Sequence, residues 1–433
     1  MNNARLMANS SKPLGPFISF ALVLFPLSHL CAYALSNFLL AILSIYCLWT
    51  IYRDPREVSA FFEGPFQRMA KLLTFLLLWT LVSVVLSFLF PPFSPLDYRF
   101  SRWFHKPLRA LLIAWLLLRR RGDLASWIFQ TVVAVSIALS LIPLAQYPLS
   151  KIGKTRLSID YPSGAPLLGI SETSCIAAFL AIAALCLALY SQQGRMYRLA
   201  WAAGSLLALT VIAATGSRSA SAATFAGGML LFAESIYRQW REQRSKCIGY
   251  IAVGALCLIV LAASFVHLNP RFFDKDNLAT SGGFRLLAWR EGMKCALARP
   301  IRGYGAIRLS YVYRAFGPVK GPPPHDVIAP NEAHCDYITW LLVAGIPALA
   351  VYPLFMILSI TTLLRISRKS EGIGSAILLA TACGVFSCLV YGCSSSFCWN
   401  NKSAPFVLFL LGLALALAKH YYSEGKVCCA KKV

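Results

Sequence analysis

The sequence predicts an all-α polytopic membrane protein with about twelve transmembrane helices. Three observations carry that expectation. Of the 433 residues, 58% are hydrophobic and only 13% are charged, against about 45–50% and about 25% in a soluble domain. The mean hydropathy is +0.63. The apolar residues gather in runs long enough to cross a hydrocarbon core of about 30 Å as helices. Such a chain is not an ordinary soluble enzyme, a disulfide-stapled secreted domain or a disordered tail.

The runs lie near 16–34, 35–52, 70–90, 107–118, 124–147, 173–190, 199–215, 219–236, 247–267, 336–364, 373–395 and 403–420. The first exceeds the h-region of a signal peptide, about 7–15 residues, and a second follows at once, so it reads as a retained span. The fourth is short and is extended by Arg119-Arg120-Arg121. Mid-span acids are almost absent.

Net charge is +24. Most of it is explained by topology. With the N-terminus in the cytoplasm, every inner connection is basic, as at Arg53 and Arg56, Arg119 to Arg121, Arg238 and Arg241, and Arg365, Arg368 and Lys369. The outer turn at 34–37 carries no charge. This is the positive-inside pattern, and an even span count leaves both ends inside. No nucleic-acid partner is needed to account for it. Membrane lipids are the expected surroundings.

One stretch breaks the pattern. From about His267 to Cys335 the chain faces outward, yet it carries Arg271, Lys275, Arg285, Arg290, Lys294, Arg299, Arg302, Arg308, Arg314 and Lys320. Against these stand Asp274, Asp276, Glu291, Asp326 and Glu332. Long loops translocate regardless of charge, so this cluster points to an anionic ligand. The division that follows is residues 1–267 for spans one to nine, 268–335 for a helical outer subdomain, and 336–433 for spans ten to twelve and a cytoplasmic tail. The 14 cysteines include no metal-spaced pair. Most sit in apolar runs as small hydrophobes. Cys393 and Cys398 are the one candidate pair on an oxidising face.

Three outer motifs carry chemistry. Thr215-Gly216-Ser217-Arg218 joins two spans with almost no linker and sets an arginine at the hydrocarbon edge. There it either snorkels or binds an anion, with small neighbours that let a ligand approach the backbone. In Phe284-Arg285-Leu286-Leu287-Ala288-Trp289-Arg290, Arg285 and Trp289 share a helical face, so the indole is placed to hold the guanidinium. The bland reading is an amphipathic helix on the membrane surface. The segment ends at Pro300…Gly303-Tyr304-Gly305, a helix stop and tight loop. In Asn331-Glu332-Ala333-His334-Cys335-Asp336, Asn331 is an expected N-cap. That puts His334 in the first turn of span ten, where the helix dipole favours a neutral imidazole and Glu332 and Asp336 can orient it. A neutral, oriented histidine suits general-base work. Two arginines suit a pyrophosphate, and no carboxylate cluster offers a magnesium site. No metal or other cofactor is expected.

These runs, in this order and on one face, resemble the bacterial O-antigen ligase and polymerase superfamily. The resemblance spans nearly the whole chain. One position departs, since Cys335 stands where such proteins often carry Asn. The likeness implies a fold similar to the C-type membrane glycosyltransferases. It implies metal-independent, inverting transfer of a glycan from undecaprenyl pyrophosphate to a sugar hydroxyl of lipid A–core, on the periplasmic face of the inner membrane. Carried over to this chain, His334 takes the acceptor proton, and Arg218 and Arg285 bind the leaving pyrophosphate. Arg290, Trp289 and Tyr304 are candidate helpers at the donor, and Arg302, Arg308 and Arg314 are candidates for acceptor phosphates, from charge alone. The alternatives are an O-antigen polymerase or a protein O-oligosaccharyltransferase using the same donor, and, in a different class, a flippase for lipid-linked sugars. The flippase is disfavoured by spans nearly clear of acids and by the lack of a repeat.

Overall fold

The computed structural model describes residues 14–31, 33–55, 62–89, 105–119, 121–141, 144, 159–160, 166–168, 170–242, 283–305, 309–315, 333–398 and 402–430. Its helices are α1 (Pro16–Cys31), α2 (Tyr33–Arg53), α3 (Gln67–Leu89), α4 (His105–Leu118), α5 (Gly122–Leu139), α6 (Ile170–Tyr190), α7 (Arg195–Thr215), α8 (Arg218–Glu242), α9 (Gly283–Ala298), α10 (Leu309–Ala315), α11 (Asp336–Ser367), α12 (Gly372–Gly392) and α13 (Ser403–Ala430). Each of the expected apolar runs forms a helix except the ninth, 247–267, which lies outside the described residues.

Among the described residues, 8 helices are long and apolar enough to cross a membrane. The chain is therefore a helical, multi-pass membrane protein. Pro16–Ser28 in α1 and Pro107–Leu118 in α4 form shorter apolar segments. α8 is rich in Ser, Ala and Gly and carries Glu234, which makes it less apolar than the eight. The helix of the expected fifth run ends at Leu139, and Leu141 and Leu144 beyond it are again helical. An antiparallel pair of short strands, β1 (Ile159–Asp160) and β2 (Pro166–Leu168), departs from an all-helical chain. The sequence between them holds Pro162 and Gly164, which break a helix and favour a turn.

The bundle is layered by burial. α6, α12 and α13 are almost wholly enclosed, with 83%, 83% and 89% of their apolar windows buried, while α2 is 28% buried and faces outward. α6 packs on α7 and α12, α13 on α4 and α5, and α11 on α12 and α3. In lipid such contacts rest on close van der Waals packing rather than on expulsion of water, which is why alanine-rich faces dominate the centre.

The Glu234 side chain on α8 is buried, near the end of the expected 219–236 run, so the middle of that span stays free of acids. Its carboxylate accepts from Arg238 at 3.0 Å and from Arg368 at 2.6 Å. Arg238 also donates to Ser367 at 2.7 Å. This ion-paired cluster, in which Arg238 also donates to Ser375 at 3.3 Å, ties α8, α11 and α12 together at one end of the bundle. The second end holds the candidate site.

α11 is not one helix. Gly345 has φ 74 and ψ −171, a break that divides it. Tyr352 lies 5.2 Å from the Trp340 ring and 6.4 Å from the Tyr337 ring. In a straight helix Tyr337 and Tyr352 would stand about 22 Å apart along the axis. The first segment is therefore folded over against the second.

The freed backbone groups find partners in the strand-like run that follows α9. Tyr304 N–H donates to Leu342 O at 2.7 Å, Gly305 N–H to Val343 O at 2.9 Å, and Ile346 N–H to Pro300 O at 2.7 Å. From α3, Trp79 Nε1 donates to Ala344 O at 2.7 Å and Ser83 Oγ to Val343 O at 2.9 Å. Irregular backbone at this depth is tolerated because protein satisfies it. Gly303 and Gly345 permit the close approach. A Cβ on Gly345 would lie 2.0 Å from Ile301 O, and one on Gly303 would lie 2.5 Å from the Val343 carbonyl carbon.

Candidate active site

Three separate segments converge on this end. The first is the turn between α7 and α8. Gly216 ends α7 in the left-handed region, with φ 58. The Ser217 hydroxyl accepts Ala220 N–H at 3.3 Å, an N-cap for α8. Arg218 opens that helix and is half-buried.

The second is the start of α9, where Phe284 and Arg285 are both half-buried. The third is His334. The expected helical start at Asn331 is corrected here. α11 begins at Asp336 with Cys335 at the N-cap position, so His334 precedes the helix rather than sitting in its first turn. Asn331 and Glu332 lie outside the described residues. His334 has φ 50, uncommon for a residue with a Cβ and often found where function constrains the backbone.

α9 packs along the first segment of α11. That contact sets the Phe284 ring edge-on to the His334 ring, with centroids 6.0 Å apart. Burial, and then the positive charge of Arg285, push the His334 imidazole below its usual value of 6.5. The ring is held neutral beside a cation.

The end of α12 joins these parts. Tyr391 OH donates to Ser171 O at 2.9 Å. Three residues on, Ser394 Oγ meets Ser219 Oγ at 2.8 Å, next to Arg218. Asp336 is 1% exposed, and its carboxylate accepts Cys398 N–H at 2.9 and 3.0 Å. The sequence reading gave Asp336 to the histidine ring; its oxygens instead anchor the chain after α12 to the start of α11. Cys393 and Cys398 are free thiols rather than a pair, and Cys398 Sγ lies 2.8 Å from Tyr352 OH.

The other candidates are placed less centrally. Arg290 is 67% exposed and pairs with Glu291 at 3.0 Å, as does Lys294. Hydrogen bonds from Lys294 and Arg290 pull the Glu291 carboxyl below the ordinary range. Tyr304 is buried and its hydroxyl donates to Cys295 O at 2.8 Å, so this side chain locks α9 to the loop instead of facing a ligand. Trp289 is half-buried. Arg302 is half-buried, and its carbonyl accepts the Ser83 hydroxyl. Arg314 is exposed on α10. Arg308 lies outside the described residues. Among the described residues no group of three His, Cys, Asp or Glu forms a metal cage.

Sequence reasoning missed Tyr391, Ser394 and Ser219. The run Gly392-Cys393-Ser394-Ser395-Ser396 was visible as small polar residues ending a span. No spacing rule linked it to a turn far away in the chain.

One end of the helical bundle thus holds a half-buried histidine whose basicity is lowered by burial and by Arg285. Residues 203–352 match the model of the family described as O-antigen ligase. That segment is similar to the O-antigen ligase family, and Arg218, Arg285 and His334 all fall within the match. That similarity supports membrane glycosyltransferase activity of the ligase or polymerase type. No curated protein matches the sequence.

Proposed function

We propose that the chain is an O-antigen ligase of the bacterial inner membrane, with about twelve spans, both ends cytoplasmic and the site on the periplasmic face. The observation that carries this is the contact of α9 with the start of α11, which sets Phe284 against a half-buried His334 whose basicity Arg285 lowers, inside the family-matched segment.

The donor is a glycan on undecaprenyl pyrophosphate and the acceptor a sugar hydroxyl on lipid A–core. The acceptor oxygen attacks the anomeric carbon from the face opposite the diphosphate. Its proton passes to His334, whose lowered basicity keeps the ring unprotonated and ready to accept. The bond from anomeric carbon to phosphate oxygen breaks, and the electron pair leaves with undecaprenyl pyrophosphate. Arg218 and Arg285 stabilise the charge on that diphosphate by forked hydrogen bonds. Their fixed charge replaces a metal. Arg302, Arg308 and Arg314 are assigned to phosphates of the acceptor core, and Arg290 to a peripheral role.

The test is a reconstituted assay with lipid-linked glycan, lipid A–core and a chelator. Product is expected, with inversion at the anomeric carbon. A requirement for magnesium removes the arginine clamp. Transfer to a growing glycan or to protein instead of lipid A–core assigns the polymerase or protein-modifying branch. Donor translocation without any transfer assigns a flippase.

A further inference from the structure

α9 is apolar on two faces, and among the described residues only one of them packs inside the protein. Ala288, Gly292, Cys295 and Ala296 are buried, on the face that packs against the first segment of α11. On the far side Leu286 is 63% exposed, Met293 42%, Leu297 69%, and Ile301 in the following turn 65%. At about 100° per residue, Leu286, Met293 and Leu297 fall within about 40° of one another. Arg290 and Lys294 flank this row on one side only, and both are exposed. Core packing does not explain a row of large side chains facing away from the core. A water-facing helix would carry polar residues there.

The row does not stop at the loop. Ile301 O lies against Gly345, and the next residue, Ile346, is 53% exposed. From Ile346 the exposed positions of α11 continue through Ala350, Leu354, Ile357 and Thr361 to Arg365. That is the lipid-facing stripe of a spanning helix. From Ile346 to Ser367 the second segment is about 33 Å long, enough to cross the hydrocarbon by itself. The Gly345 break therefore sits at one hydrocarbon boundary, and the α9 row continues the lipid surface beyond it.

We propose that α9 is docked in the headgroup–acyl boundary of the bilayer. Leu286, Met293, Leu297 and Ile301 enter the acyl region, and Arg290 and Lys294 meet lipid phosphates. The occupant of this face is bilayer lipid, not a periplasmic protein. This surface is independent of the reaction proposed above. It makes the outer segment an interfacial element rather than a subdomain standing clear in water, and it fixes Arg285 and His334 at headgroup depth.

The test is photocrosslinking of the full-length protein in vesicles of phosphatidylethanolamine and phosphatidylglycerol. Benzoylphenylalanine is placed at Leu297, at Met293 as an independent second position, and at Ile357 as the lipid-facing reference. Phospholipid adducts at Leu297 and Met293, within about twofold of the Ile357 yield, are expected. Adducts at Ile357 with none at either α9 position overturn the proposal. In native membranes, a protein adduct replacing the lipid adduct at Leu297 overturns it equally.

Discussion

Ser394, just past α12, shares a 2.8 Å hydrogen bond with Ser219, the residue after Arg218. The bond joins the α7–α8 turn to the end of α12. It positions Arg218 relative to that helix end. Ser394→Ala should raise the donor KM several-fold, as expected for loss of about 1 kcal/mol of net hydrogen bonding, with kcat changed less. Ser394→Thr keeps a hydroxyl and should restore the KM. Steady-state kinetics with a lipid-linked donor check this. Equal loss in both variants would mean that packing, not the hydrogen bond, is at stake.

His334 sets the pH response. Its folded imidazole is depressed below 6.5 by burial and by Arg285. The base form therefore persists to lower pH than for a free histidine, and the acid limb of kcat/KM should fall below 6.5. Arg285→Gln removes the positive neighbour, so the limb should move to higher pH while overall activity drops. The same shift bears on stability. In the window between the lowered folded value and 6.5 the unfolded chain binds more protons. Stability is thus full above 6.5 and is lost as pH falls through that window. Comparing thermal unfolding of wild type and His334→Gln across this range measures the difference.

Gly345 is the hinge of the broken helix. With φ 74 and ψ −171 it occupies a region that essentially only glycine visits. A methyl there would also meet Ile301 O at 2.0 Å. Gly345→Ala should cost more than about 2 kcal/mol, visible as a lowered unfolding temperature in detergent. Gly15, with open space around its Cβ position, is the control, and Gly15→Ala should be nearly neutral.

Glu234 holds the end of the bundle away from the site. It is 2% exposed and bound by Arg238 and Arg368. Glu234→Ala strands two cations in a partly buried cluster and should destabilise by about 3 kcal/mol. Protein that remains folded should keep its kcat, because the cluster sits at the opposite end from His334. A stable Glu234→Ala variant with lost transfer would instead implicate this end in turnover.

Much of the architecture was legible because lipid imposes simple rules. A span must be apolar for about 20 residues, so α6, α7, α12 and the start of α13 fall close to their expected places. Arg218 was correctly set at a two-residue turn because Gly-Ser leaves no room for a longer one. Errors arose where a local rule met a tertiary constraint. The expected N-cap at Asn331 gave way to a helix starting at Asp336, whose carboxylate is taken by Cys398 N–H. Tyr304 looked like a ligand contact because an aromatic between glycines suggests a loop. In the fold, that loop fills the break in α11.

By itself the sequence determined the helical class, the basic connections and the order of the three motifs. These follow from hydrophobicity and charge, which each segment carries alone. Only the tertiary structure decided that α11 folds over at Gly345, that Phe284 meets His334, and that Ser394 reaches Ser219. Such contacts join residues far apart in the chain. Their energies come from pairing backbone and hydroxyl groups that lipid would otherwise leave unsatisfied, and no segment read in isolation reveals its partner.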